Sequence, residues 1–344
     1  MNFKKVVMAS MIASSMLVTL AGPVPVGAKT VQEQQQSDKK KLQIDKTVAA
    51  KLQKVLKQLA GKEIKLQDVG KITYDYSNNE FANVESVDGK YGIFFETKNG
   101  KVWSVTGKVP IDKISKKDRD KALQELKKLY PNKTYEFEKE VDMFRNYDDE
   151  KAKFHDNIVY QFNGKNFSVS LSNNFSKNKT DFHAYSANIK FDANELEPKV
   201  LKTAEEAVKT VLNQDINFKG ATLSPDGWFL GDRDVSVEID AKSNMVINAI
   251  DKARIKEKVT TNKEITEKDA KEVIAPVAKK FFNIDITGYE VKWDDQSKNY
   301  RFVKYHTTEK GAKVEQTVMR ATLDANKNVL SLTSGDKAET GGWN

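Results

Sequence analysis

The sequence predicts an α+β protein of tandem small modules, each a helix packed on an antiparallel β-sheet. Three observations predict it. Amphipathic stretches with apolar residues at helical spacing recur four times along the chain. Each is followed by short segments in which apolar and polar residues alternate, joined by Asn, Asp and Gly turns. No segment after residue 30 is continuously apolar, as a strand buried on both faces of a parallel sheet would be.

The first expected element is an address. Lys4 and Lys5 precede an apolar run from Val6 to Leu20, about 15 residues and short of the ~20 needed to span a bilayer. Ala21-Gly22-Pro23 then breaks the run, and Val26-Gly27-Ala28 offers small or β-branched residues where a signal peptidase reads. Residues 1–28 are therefore expected to be a secretory signal peptide, cleaved between Ala28 and Lys29. The mature chain is expected to be secreted, free of membrane spans and extracellular or wall-associated. Residues 29–45 are polar, with Gln34-Gln35-Gln36, and are expected to form a flexible spacer.

Four units follow. In residues 46–110, Val48, Leu52, Val55, Leu56 and Leu59 share a helical face, and Gly61 ends the helix as a left-handed cap. Strands are expected at Lys71–Tyr76, Gly92–Thr97 and Val102–Thr106, with Asn99-Gly100 as a type I′ hairpin turn. In residues 111–196, Ser115-Lys116-Lys117-Asp118 opens a helix with the stripe Leu123, Leu126 and Leu129, and Pro131 stops it. Tyr135, Phe137, Val141 and Met143 then alternate, as do Tyr185, Ala187, Ile189 and Phe191.

In residues 197–258, Thr203-Ala204-Glu205-Glu206 reads as a capping box, followed by strands at 228–230, 235–239 and 245–250. In residues 259–335, Thr266-Glu267-Lys268-Asp269 opens a helix that contains Pro276, which should kink it or start a fresh turn. Strands follow at 289–293, 300–306, 315–323 and 329–332. Residues 336–344 are expected to be a flexible tail, with a mobile Trp343.

Residues 240–246 (Asp-Ala-Lys-Ser-Asn-Met-Val) echo residues 324–330 (Asp-Ala-Asn-Lys-Asn-Val-Leu). This is a hairpin whose Asp and Asn satisfy the turn backbone and tolerate a left-handed conformation. A calcium loop would need alternating oxygens and a distal Glu, and neither is present.

Residues 203–212 with 235–247, and 266–282 with 315–332, resemble the PepSY family, with Asn244 or Asn328 in place of a turn glycine. The run of exported, Lys-rich units is similar to the YcdB/YcdC repeated-domain proteins of Gram-positive bacteria. The resemblance implies a non-enzymatic extracellular module that regulates or sequesters a peptidase or peptide, and it supplies no catalytic residues.

Composition bounds the chemistry. There is no Cys, which excludes disulfides, thiolate metal sites and a Cys nucleophile. The formal charge of +8 comes almost wholly from Lys; Arg occurs only at 119, 145, 233, 254, 301 and 320. Lys is a hydrated point charge, poor at bidentate recognition, so no nucleic acid is expected as a partner. Its mixing with Asp and Glu reads as solvated surface, or as weak attraction to a cell-wall polyanion or anionic lipid. That second reading gives the alternative function, a structural envelope protein held by charge. His155, His183 and His306 each lie in or near expected strands; a zinc site needs three or four ligands, usually with a close pair, and adjacent His155-Asp156 points its side chains apart. No nucleophile elbow, phosphate loop or dinucleotide fingerprint occurs, so no catalytic, metal or cofactor residues and no cofactor are assigned. The remaining candidates are Trp103, Trp228 and Trp293, one in a strand of each of three units. Either each anchors its own core, or they form an exposed aromatic row for peptide or glycan contact.

Overall fold

The computed structural model describes residues 41–67, 69–74, 80–174, 181–232, 234–258, 265–309 and 311–339. The expected signal peptide, its Ala28/Lys29 junction and Trp343 lie outside these.

The first stretch holds β1 (Lys41–Gln43), α1 (Lys46–Ala60), β2 (Val69–Tyr74), β3 (Glu80–Glu85), β4 (Tyr91–Glu96) and β5 (Lys101–Pro110). Next come α2 (Lys116–Leu129), β6 (Glu140–Asp148), β7 (Lys153–Gly164), β8 (Phe167–Ser172) and β9 (His183–Asp192). The third stretch holds α3 (Pro198–Val211), β10 (Gly220–Ser224), β11 (Gly227–Gly231), β12 (Val235–Ile239), β13 (Val246–Asp251) and α4 (Lys252–Lys258). The last holds α5 (Glu267–Phe282), β14 (Glu290–Asp294), β15 (Asn299–Thr307), β16 (Lys313–Leu323), β17 (Val329–Ser334) and α6 (Asp336–Glu339).

These strands form one 17-stranded antiparallel sheet, which overturns the expectation of tandem small modules with separate sheets. Strands β1 to β13 pair in chain order, and β17, β16, β15 and β14 continue from β13. Three seams fuse what the sequence suggested were separate sheets. At the first, Ser104–Pro110 pairs with Asn146–Glu140. At the second, Ile189–Asp192 pairs with Leu223–Gly220, and at the third Asn248–Ile250 pairs with Thr333–Ser331. The physical reason is the strand edge. A free edge leaves a row of backbone N–H and C=O groups without ladder partners, and joining edge to edge satisfies them.

The long helices share one face of this sheet. Val105 and Val109 on β5 pair with Arg145 and Val141 on β6, so the faces under α1 and α2 are continuous. Two apolar cores lie on that face. The smaller gathers Leu52, Leu56, Val84, Ile93 and Phe95 under α1. The larger runs from Ala122 and Leu126 through Val208 and Ile274 to Leu332, under α2, α3 and α5. The opposite face is covered at its C-terminal end by α6, where Ala338 is fully buried and Arg320 Nε donates to its carbonyl at 2.5 Å.

Local expectations fare unevenly. Gly61 adopts φ 70°, Ser115 caps α2, and Thr266 with Asp269 forms a capping box. By contrast, α3 begins at Pro198, so Thr203 lies inside it. Proline's fixed φ and missing N–H suit a first helical position, and Thr203 Oγ1 instead accepts from Asn244 Nδ2 at 2.6 Å. Asn99-Gly100 belongs to a longer loop between paired Glu96 and Lys101, with only Gly100 at positive φ (63°), so no type I′ turn forms. Asn244 is left-handed (φ 58°), but in the second echo that conformation falls on Lys327 (φ 65°), not Asn328. Helix α5 continues through Pro276 as one element. Lys41–Gln43, expected as spacer, is β1, and Asp336–Glu339, expected as tail, is α6.

Candidate binding surface

The face of the sheet opposite the long helices carries an aromatic platform at its N-terminal end. On β3, Ala82 and Val84 enter the small core, so Phe81 and Asn83 point the other way. On β4, Ile93 and Phe95 do the same and leave Phe94 outside. The pairing slips between Phe94 and Phe95, so that Phe95 meets Val102 while Phe94 meets Ser104. Trp103 is the extra residue of this bulge, a device that re-aims a side chain. It is 38% exposed.

The rings touch one another. Phe81 and Phe94 stack with centroids 5.1 Å apart and 12° between planes. Trp103 meets Phe81 edge-on at 6.1 Å, and Lys101 Nζ sits 5.5 Å from the Trp103 ring centre. Aromatic pairs in these geometries contribute about 0.5–1.5 kcal/mol beyond area burial, so the platform is pre-ordered.

Polar groups flank it in one cross-strand row, Asn83–Phe94–Ser104–Asn146, on β3 to β6. The side-chain amides of Asn83 and Asn146 have no hydrogen-bond partner among the described residues, nor has the indole N–H of Trp103. A half-exposed Phe144 on β6 continues the apolar strip, beside Val159 on β7.

The three candidate tryptophans are not brought together. Trp228 is buried on the helix face, its ring 5.1 Å from Phe191. Trp293 is half-buried against the same large core, 4.9 Å from Tyr300, with Nε1 donating to Asp295 at 3.4 Å. Only Trp103 faces solvent on the open side, so the three make no row. Sequence reasoning missed Phe81, Phe94, Asn83 and Asn146. The alternation of Phe81, Asn83 and Glu85 against Ala82 and Val84 was the available signal, blurred by the small Ala82.

The three histidines lie on β7, β9 and β15, and no cluster of three or more His, Asp or Glu able to hold a metal occurs among the described residues. Among them, no helix is long and apolar enough to cross a membrane. No family model, curated protein or solved structure matches the chain.

Proposed function

We propose that the chain is an exported, non-catalytic binding protein that holds an extended segment of polypeptide across the open face of its sheet. The observation that carries this reading is the exposed, bulge-presented Trp103 beside Phe81 and Phe94, set between the amides of Asn83 and Asn146, which have no partner among the described residues.

An Asn side chain offers one carbonyl acceptor and one NH₂ donor, the pair of functions that a peptide unit presents. Asn83 and Asn146 stand three strand spacings apart, roughly 14 Å at about 4.8 Å each. That is the span of about four extended residues at about 3.3 Å apiece. A polypeptide crossing the strands would place main-chain groups at both amides and an apolar side chain on the rings between them. The platform favours side chains over sugars. Phe81 and Phe94 each cover one face of the other and Lys101 stands over Trp103, so ring faces that a pyranose would stack on are partly taken. The same surface would serve a free peptide or an exposed segment of a secreted peptidase, the partners that the PepSY resemblance implies.

The test is a titration of fluorescent peptide pools, rich in apolar residues, against the mature chain. Trp103→Ala should weaken binding about tenfold or more, as a central aromatic hot spot does, and should also cost about 1 kcal/mol of stability through loss of the edge contact with Phe81. Asn83→Ala and Asn146→Ala should each weaken it severalfold. Unchanged affinity in Trp103→Ala would refute the assignment. Binding that vanishes by about 0.5 M salt would instead favour retention by Lys-rich electrostatics, since screening shortens such attraction to a few ångströms.

A further inference from the structure

On the helix face, α1 packs chiefly over β4 and β5, and α2 over β8 and β9, leaving β6 and β7 between them. The two apolar cores are separate clusters, and this gap is their boundary. Its floor is made by Met143 and Arg145 on β6 with Ile158 and Tyr160 on β7, all half-buried.

Arg145 is an unusual floor residue. It occupies a position in the alternation Val141, Met143, Arg145, Tyr147 that otherwise faces the core. Its Nη2 donates to the His155 carbonyl at 3.0 Å, and its guanidinium lies 4.8 Å from the Phe154 ring centre. Nε is buried without a partner, and Nη1 makes no hydrogen bond to the described residues. Arg145 forms no salt bridge among the described residues. Arg301 and Arg320, by contrast, each engage a carboxylate at 3.0 Å or less. Burial holds the Arg145 guanidinium below its ordinary basicity, opposed first by Tyr160 and then by Asp156. One pair along the ladder, the Tyr160 hydroxyl also lacks a partner among the described residues. The bond to the His155 carbonyl, within the bulge of β7, uses one of five guanidinium N–H groups, and the Phe154 ring covers part of the cation; what is left is a half-buried guanidinium with no carboxylate partner among the described residues and with Nη1 available to an added anion.

We propose that this stretch of β6 and β7 binds the C-terminal carboxylate of a peptide ending in an apolar residue. Arg145 takes the carboxylate, Tyr160 donates a further hydrogen bond, and Met143 and Ile158 receive the last side chain. The choice of an α-carboxylate follows from adjacency. Cation and apolar floor are neighbours on the sheet, so the ligand must carry its carboxylate and its apolar group on one carbon. Asp and Glu hold the carboxylate at the tip of a polar side chain. The site lies on the other face from the Trp103 platform and stands independently of it.

The test follows the Arg145 Nε–H resonance and backbone amides by NMR during titration with acetyl-Ala-Ala-Phe as free acid, the same peptide as its C-terminal amide, and acetate. The free acid should give a saturable shift centred on β6 and β7. The amide should bind about tenfold more weakly or worse, as expected for loss of a charge-assisted bidentate contact. Acetate should bind far more weakly than the free acid. Arg145→Gln should abolish the difference between acid and amide, and Tyr160→Phe should reduce free-acid affinity severalfold. Equal binding of acid and amide by the wild-type chain would overturn the proposal, and so would acetate matching the peptide acid. Both comparisons use the unaltered protein, so they hold even where Arg145→Gln fails to fold.

Discussion

Tyr300 and Trp103 show how the two faces of one sheet use an aromatic side chain differently. Tyr300 is fully buried beneath α5, and its hydroxyl donates to the Ile265 carbonyl at 2.6 Å. Tyr300→Phe strands that carbonyl and should destabilise the fold by about 1–2 kcal/mol in urea titration, whereas Trp103→Ala loses only a surface ring contact and should cost about 1 kcal/mol. Asp251 is almost wholly buried, bonded to Gln214 and to the Arg254 side chain, and accepts from the Arg254 backbone N–H at 2.9 Å. Removing one partner of such a pair leaves a buried charge, so Asp251→Ala should cost about 3 kcal/mol by the same measurement. At the start of α5, hydrogen bonds from Lys327 and Thr266 hold the Asp269 carboxyl down to about 2, from an ordinary 3.8. The folded value lies below the unfolded one, so this contribution is complete above the ordinary carboxylate range and disappears as pH falls towards 2. The stability gap between wild type and Asp269→Asn should therefore narrow on acidification and persist at neutral pH.

Among elements, β11 shows why strand boundaries depend on close backbone approach. Gly227 and Gly231 bracket Trp228-Phe229-Leu230, both at φ 128°, which side-chain-bearing residues rarely adopt. A Cβ on Gly227 would stand 2.3 Å from the Ile239 carbonyl, and one on Gly231 would stand 2.2 Å from that of Val235. Gly227→Ala should destabilise by about 1–3 kcal/mol, read as a lowered melting temperature. The helices were the most legible elements, because Leu52, Val55 and Leu56, or Ala270, Ile274 and Val277, repeat at helical spacing beside a recognisable cap. Strands such as β12 and β9 were legible from strict alternation. Strand β3 was not, because Phe81-Ala82-Asn83-Val84 places a small residue where the core-facing signal should be strong. Of the candidate surface only Trp103 was visible. A period of two says that Trp103 and Val102 oppose each other, but not which faces water, and the bulge that presents Trp103 leaves no mark in the spacing.

For the whole molecule, what the sequence could not convey is how units join. Pairing of Ser104–Pro110 with Glu140–Asn146 is made by backbone groups that every residue carries, so no side-chain pattern announces it. The same holds where β17, not β14, docks on β13. Side-chain packing is nevertheless discontinuous at one place, the boundary between the small core under α1 and the large core shared by α2, α3 and α5. Native-state hydrogen exchange should therefore reveal two cooperative blocks, with residues 46–110 opening at lower free energy than 111–334. A single block with uniform protection would show that the β5–β6 ladder alone couples the cores.

A polypeptide lying against the open face of a continuous sheet is tested most directly by site-specific photocrosslinking. A photoreactive residue placed at Asn83 on that face, and another at Lys54 on the exposed side of α1, would be irradiated with the same bound peptide. An adduct from position 83 and none from position 54 is the predicted result; adducts from 54 alone, or equally from both, would contradict it.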